Sequence, residues 1–294
     1  MNKLSFIMLK GQLTSKFIYG IAFVMIFFYS CNKRMYHAIY NHDDLDRTYV
    51  LYKPVNLPEN APLVFVLHSY GRYAKDHVQS LQLDSIAEAN KFAVCYPQGT
   101  IDVNTGKPYW TGGLPSSKID DVGFLTGLAK HLQTKYNLDP NRTFVCGISN
   151  GGFMGYTLAC ESPDVFKALA SVTGTMTGHI WENRNSTPHP IPVLQISGMT
   201  DTVVPIDGSM STEFGWGGAP HMDTIMDYWG EFNGCNQVDT LSIAPNIHAY
   251  RYTKGLNDNE VWYYKLEGFG HDLPTLDNSG LNANELIWQF FSRF

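Results

Sequence analysis

The stretch that decides the fold is Thr143-Phe-Val-Cys-Gly-Ile-Ser-Asn-Gly-Gly152. Thr143 to Cys146 is short, apolar and β-prone, and it reads as a buried strand. The pattern G-x-S-x-G follows from Gly147 to Gly151, and a segment of helical character then runs to about Cys160. Strand, tight turn and helix form the setting of a nucleophile elbow, in which a serine is held exposed at a strand's carboxyl end. Gly147, Gly151 and Gly152 remove side chains that would collide in so sharp a turn. The bland alternative is a small-residue helix start packed closely on a sheet.

Outward from the elbow, short β-rich runs alternate with helix-length segments, which predicts an α/β fold with a mostly parallel sheet covered on both faces. Arg47–Tyr52 reads as an early half-exposed strand and Leu63–Leu67 as a central one. A helix over Asp84–Lys91 leads to a strand over Phe92–Tyr96. A long loop, Pro97 to Ile119, precedes a helix capped by Asp120 that runs to about Tyr136. Further strands are expected at Ala168–Val172, Pro192–Ile196 and Val261–Leu266, with a closing helix over Asn284–Phe294.

A serine hydroxyl needs a positioned base. Among 10 histidines, His271 stands apart because it follows the last expected strand across the flexible turn Gly268-Phe-Gly270. His221 is the main rival, with helix capping as its duller role. His37, His42 and His77 read as exposed, and His68 as a structural residue of its loop. Asp201 follows the strand ending at Ile196 and can orient the base; Asp207 and Asp223 are the substitutes. The order Ser149, Asp201, His271 is that of α/β-hydrolases. The oxyanion hole is expected from the backbone N–H of Asn150 and from the loop after the central strand, at Tyr70 or alternatively Ser69. Tyr109, Trp110 and Trp216 either line a substrate pocket or pack the loops.

The net charge of −6 and the absence of clustered Lys and Arg argue against a nucleic-acid partner. Nothing in the sequence calls for a cofactor, and no His/Cys cluster suggests a metal. Lys3, Lys10 and Lys16 precede an uncharged run, Phe17–Ser30, which is followed by Cys31. That pattern suits a signal peptide over residues 1–31, of lipoprotein type with Cys31 lipidated, an ordinary cleaved signal and an uncleaved anchor being the alternatives. Residues 32–46 then read as a tether and 47–294 as one catalytic domain, exported and either membrane-anchored or secreted. Of the other cysteines, Cys95 and Cys146 read as core thiols, and Cys160 and Cys235 as a conceivable disulfide.

The segments LVFVLHSYG, YPQGT, DDVGFL, DPNRTFVCGISNGGFMGYTLAC, SGMTDTVVP and GFGHDLP together resemble the esterase group that joins polyhydroxybutyrate depolymerases with feruloyl and acetylxylan esterases of carbohydrate esterase family 1. The resemblance runs from about Arg47 to the C-terminus. It implies Ser149 as nucleophile, Asp201 as acid, His271 as base, and Tyr70 and Asn150 as oxyanion donors. Two departures bear on detail: Ser69 stands where the group usually has glycine, and Leu273 where it often has tryptophan. The expected activity is a serine esterase acting on a carboxylic ester, with feruloyl or acetyl esters of plant polysaccharide as the favoured substrate. Polyhydroxyalkanoate depolymerase, serine peptidase and non-catalytic surface binding protein are the other readings.

Overall fold

Strand parity sets the layers. In Leu63-Val-Phe-Val-Leu67, Leu63, Phe65 and Leu67 join one core cluster while Val64 and Val66 join another. Successive side chains of a strand point to opposite faces, so a sheet buried on both sides has continuous apolar strands and two cores. The computed structural model describes residues 34–80 and 83–294; the expected signal peptide and Cys31 lie outside the described residues. The chain forms β1 (Met35–His42), β2 (Leu45–Tyr52), β3 (Ala61–Leu67), α1 (Ala74–Ser80), α2 (Leu83–Asn90), β4 (Ala93–Pro97) and a small hairpin of β5 (Thr100–Ile101) and β6 (Pro108–Tyr109). Next come α3 (Asp121–Tyr136), β7 (Leu138–Ile148), α4 (Asn150–Glu161), β8 (Leu169–Val172), α5 (Gly178–Asn183) and β9 (Val193–Gly198). The chain ends with α6 (Met222–Phe232), β10 (Gln237–Ala244), β11 (Ile247–Thr253), β12 (Val261–Leu266), α7 (Leu276–Ser279) and α8 (Ala283–Phe291).

The main sheet has the order β1-β2-β4-β3-β7-β8-β9-β12-β11-β10. Its centre, from β4 to β12, is parallel, and antiparallel strands complete both edges. Side chains of α3, α4 and α6, among them Phe124, Leu128, Met154 and Trp229, cover one face. Side chains of α2 and α8, among them Ile86, Leu286, Phe290 and Phe291, cover the other. This is a single α/β-hydrolase domain with a mostly parallel sheet and helices on both faces. Asp120 caps α3 as expected, its carboxylate accepting the Gly123 N–H at 2.8 Å.

Two expectations need correction, and one open possibility is closed. The segment read as a tether contributes β1, paired along its length with β2 from Met35↔Tyr52 to His42↔Leu45. Its alternation of half-buried and exposed residues fits an edge strand with one wet face. Arg47–Tyr52 is not half-exposed: Arg47, Tyr49, Val50, Leu51 and Tyr52 are buried, because β1 and β4 flank this strand and both cores reach it. Cys160 and Cys235 do not pair. Cys95, Cys146, Cys160 and Cys235 are all free thiols, and the Cys235 Sγ rests 3.7 Å from the Asn259 carbonyl.

Candidate active site

β7 ends at Ile148 and α4 begins at Asn150, so Ser149 is the whole of the turn between them. Its backbone sits at φ +55°, ψ −119°, a conformation that L-residues hold only when their surroundings enforce it. The Ser149 N–H donates to the Val172 carbonyl at 2.9 Å, and the Ser149 carbonyl accepts from Phe153 N–H at 3.1 Å. The neighbouring glycines are required by contact. A Cβ on Gly147 would lie 2.2 Å from the Gly151 carbonyl oxygen, and one on Gly151 would lie 2.2 Å from that of Leu67.

β9 and β12 are parallel neighbours in register from Val193↔Val261 to Gly198↔Leu266. Their carboxyl ends therefore deliver Asp201 and His271 to the same corner. The His271 Nε2 lies 2.9 Å from Ser149 Oγ, and its Nδ1 lies 2.7 Å from Asp201 Oδ2. The other Asp201 oxygen accepts the N–H groups of Val203 and Val204, each at 2.8 Å. With Nδ1–H donated to the carboxylate, Nε2 is left bare toward the serine. That arrangement can take a proton from Ser149 and stabilise the imidazolium that results.

The rival residues are occupied elsewhere. The His221 Nδ1 caps α6 by accepting the Asp223 N–H at 3.1 Å. Asp207 accepts from both the N–H and Oγ of Ser209, at 2.9 and 2.6 Å. Asp223 pairs with Lys265 Nζ at 2.8 Å.

On the facing loop, after β3, the Ser69 N–H donates to His77 Nε2 at 3.2 Å and the Gly71 N–H donates to the Pro108 carbonyl at 2.8 Å. Between them the Tyr70 N–H has no partner among the described residues. Asn150 opens α4, so its N–H belongs to the first turn, where no carbonyl of the helix can reach. Serine at 69 is accommodated because the left-handed residue of this loop is Gly71, at φ +75°. The expectation for His68 also agrees with its surroundings. Its Nε2 accepts the Gly99 N–H at 2.9 Å while its Nδ1 meets the Ser69 carbonyl at 2.9 Å. Burial pulls the His68 pKa down to about 4, which keeps the ring neutral in this role.

A cleft of about 540 Å³ opens over Ser149 and His271, with Tyr70, His77, Val203 and Leu273 among its walls. Tyr109, Trp110 and Trp216 are not among them. Trp110 is wholly buried, with its indole N–H on the His68 carbonyl at 3.1 Å and its ring against the His68 ring. Trp216 donates its indole N–H to the Thr111 carbonyl at 2.8 Å and sets its ring edge-on to Phe153. The Tyr109 hydroxyl lies 3.4 Å from Ser117 Oγ. A long glycine-rich loop must be fastened to the sheet, and these aromatic residues serve that packing.

Two features escaped the sequence reading. Asp121 is buried and paired with Arg47 at 2.7 Å, and its second oxygen accepts the Thr111 N–H at 2.8 Å. His77 is buried, not exposed; the only hint was its place on a short helix directly after the loop at Ser69–Gly71. At the start of α3, His42, Asp43 and Asp120 bring ligand atoms within 4.8 Å of one another. Asp120 is already engaged there in capping and in a 3.0 Å hydrogen bond with His42.

Residues 47–228, more than half of the chain, match the family model described as Esterase PHB depolymerase. The chain belongs to this family. A Nocardia uniformis subsp. tsuyamanensis protein named as an esterase, NocK, is 35% identical over 152 residues, which cover 52% of this chain and 43% of that one. The bifunctional acetylxylan esterase/xylanase XynS20E of Neocallimastix patriciarum is 24% identical over 252 residues, covering 83% of this chain and 33% of that one. The chain thus spans less than half the length of both relatives. Acetyl xylan esterase from Aspergillus awamori superposes with a TM-score of 0.67 at 14% identity, over 88% of this chain and 98% of the other, and shows the shared fold. Its matches relate it to the polyhydroxybutyrate depolymerase and feruloyl/acetylxylan esterase groups of the α/β-hydrolase superfamily.

Proposed function

We propose that this esterase works through Ser149, His271 and Asp201 by way of an acyl-enzyme, on feruloyl or acetyl esters of plant polysaccharide. The observation that carries the mechanism is the unbroken hydrogen-bond chain from Ser149 Oγ through His271 to Asp201. In this reading His271 takes the Ser149 proton as Oγ bonds to the ester carbonyl carbon. The oxyanion meets the N–H groups of Tyr70 and Asn150, and His271 returns the proton to the leaving alcohol. Water then attacks the acyl-serine with His271 as base, releasing the acid and restoring the serine. No cofactor enters the scheme. The substrate class is supported by sequence segments shared with feruloyl and acetylxylan esterases. The same reading puts the domain outside the cytoplasm, either tethered through a lipidated Cys31 or secreted.

The test joins a fluorophosphonate probe to a substrate panel. Wild type should be labelled and Ser149→Ala should not; equal labelling of both would remove Ser149 as nucleophile. Methyl ferulate or acetylated xylan should be turned over in preference to polyhydroxybutyrate and to a peptide amide. Preference for the polymer would make the enzyme a polyhydroxyalkanoate depolymerase, and hydrolysis of the amide alone would make it a peptidase. No turnover of any of them would favour a binding protein.

A further inference from the structure

Ser69 is gripped on both sides. Its N–H donates to His77 Nε2 at 3.2 Å, and its carbonyl accepts from the Arg72 N–H at 3.1 Å and meets His68 Nδ1 at 2.9 Å. The peptide that follows is planar, so a carbonyl fixed on one side fixes the direction of the Tyr70 N–H on the other. The His77 ring is buried, 5% exposed, and its Nδ1 has no hydrogen-bond partner. Because the Ser69 amide can only donate, Nε2 must be bare, and in the neutral ring the proton then sits on Nδ1. A buried N–H without a partner is unfavourable and calls for a reason. Here the reason is the acceptor that this tautomer provides on the opposite edge. Burial also lowers the His77 pKa to about 4, which keeps that acceptor available at neutral pH. The ring is placed by α1, whose entry is fixed by the Ala74 N–H on Gln98 Oε1 and the Tyr73 N–H on Asp76 Oδ2, each at 2.9 Å.

We infer that His77 is a positioning residue for ester hydrolysis: by accepting the Ser69 N–H it locks the loop after β3 so that the Tyr70 N–H, and not that of Ser69, is presented to the oxyanion beside Ser149. The inference rests on the serine-esterase reading above and adds a residue to it. The lock holds residue 69 through its backbone alone, so it is indifferent to the serine side chain.

The experiment compares wild type, His77→Gln, His77→Leu and His77→Asn on p-nitrophenyl acetate, with thermal melting to check folding. Affinity for a phenylboronic acid, whose tetrahedral serine adduct needs the oxyanion donors, is measured alongside. Glutamine can place an oxygen acceptor near the Nε2 position, whereas leucine has none and asparagine is too short. His77→Leu should lose ~10²-fold in kcat and comparably in boronate affinity, with KM within about threefold, while His77→Gln stays within about fivefold of wild type. Equal losses in the leucine and glutamine variants, or boronate affinity unchanged in the leucine variant, would overturn the inference. Should His77→Leu fail to fold, the glutamine and asparagine variants decide: glutamine active and asparagine impaired supports the lock, and equal behaviour refutes it. A wild type that forms no boronate adduct, or a Ser149→Ala variant that does form one, would strike the serine reading itself and the lock with it.

Discussion

Asn150 and Trp110 clasp each other in the core next to Ser149. The Trp110 N–H donates to Asn150 Oδ1 at 2.8 Å, and Asn150 Nδ2 donates to the Trp110 carbonyl at 2.9 Å, both bonds buried. Asn150 thus has two places, its backbone beside Ser149 and its side chain holding the loop between β4 and α3. Asn150→Ala keeps the backbone N–H but strands two buried backbone groups of Trp110. The expected outcome is a stability loss of about 2–5 kcal/mol in urea denaturation, with kcat reduced although the triad is intact. Asn150→Asp should be at least as damaging, because it sets a carboxylate oxygen against the Trp110 carbonyl. Wild-type stability in both variants would show that the clasp contributes nothing.

Asp201 serves both the imidazole and its own turn. Asparagine can still accept the Val203 and Val204 N–H groups through its carbonyl oxygen, but it presents N–H₂ where His271 Nδ1 needs an acceptor. Asp201→Asn should therefore melt close to wild type while kcat falls on the order of 10⁴-fold, as for triads in general. Asp201→Ala should lose activity and also stability, since the turn amides are left unpaired. Activity retained in Asp201→Asn would move the acid's role elsewhere.

The buried Arg47–Asp121 pair links β2 to the start of α3 and, through Thr111, to the long loop. Removing one partner leaves a charge in the core. Asp121→Ala should cost about 3–5 kcal/mol, whereas the double replacement Arg47→Met with Asp121→Leu should cost markedly less. Chemical denaturation of the three proteins measures the difference. A double variant less stable than the single one would contradict it.

His68 and His77 give the fold a defined acid limb. Burial lowers both pKa values to about 4, against 6.5 for an ordinary imidazole. The unfolded chain therefore takes up protons below 6.5 that the native state refuses until about 4. The stability these rings contribute is complete above the upper value and lost as pH falls toward the lower one, amounting to about 3 kcal/mol per ring. Urea denaturation at several pH values should show the decline, and His77→Gln should make it shallower by about 1.4 kcal/mol per pH unit within this window. An unchanged slope would contradict the assignment for His77.

Gly151 ties the elbow to the facing loop. Its missing side chain admits the Leu67 carbonyl, one residue before His68 and two before Ser69. Gly151→Ala must push β3 and α4 apart beside Tyr70 and Asn150, the proposed oxyanion donors. The expected result is destabilisation of about 1–3 kcal/mol together with a fall in kcat that exceeds any change in KM. A variant with wild-type kcat would show that the two loops adjust independently.

How much of this could be read from the sequence depended on how each segment meets water. Leu63–Leu67 and Val193–Ile196 are buried on both faces, so their apolar runs were unambiguous. The main-sheet strands missed, β1, β10 and β11, sit at or next to the sheet's edges, where polar residues such as Asp239, Thr240, His248 and Arg251 interrupt any apolar run. Ser149, Asp201 and His271, which the structure joins by hydrogen bonds, could be picked out because each follows a legible strand. Trp110 and His77 could not be assigned, because their surroundings are built by contacts distant in the chain: Trp110 against His68 and Asn150, His77 against Ser69 from the next helix. An aromatic ring in a glycine-rich loop carries the same letters whether it faces a ligand or fastens the backbone.

The unpaired thiols have a consequence for how the domain responds to reductant. Cys95, Cys146 and Cys160 are enclosed in the core, and burial raises their pKa values, so little reactive thiolate forms. Among the described residues no covalent cross-link takes part in holding the sheet. With Cys95, Cys146, Cys160 and Cys235 all free, dithiothreitol should leave activity on p-nitrophenyl acetate untouched; a loss of activity on reduction would contradict this.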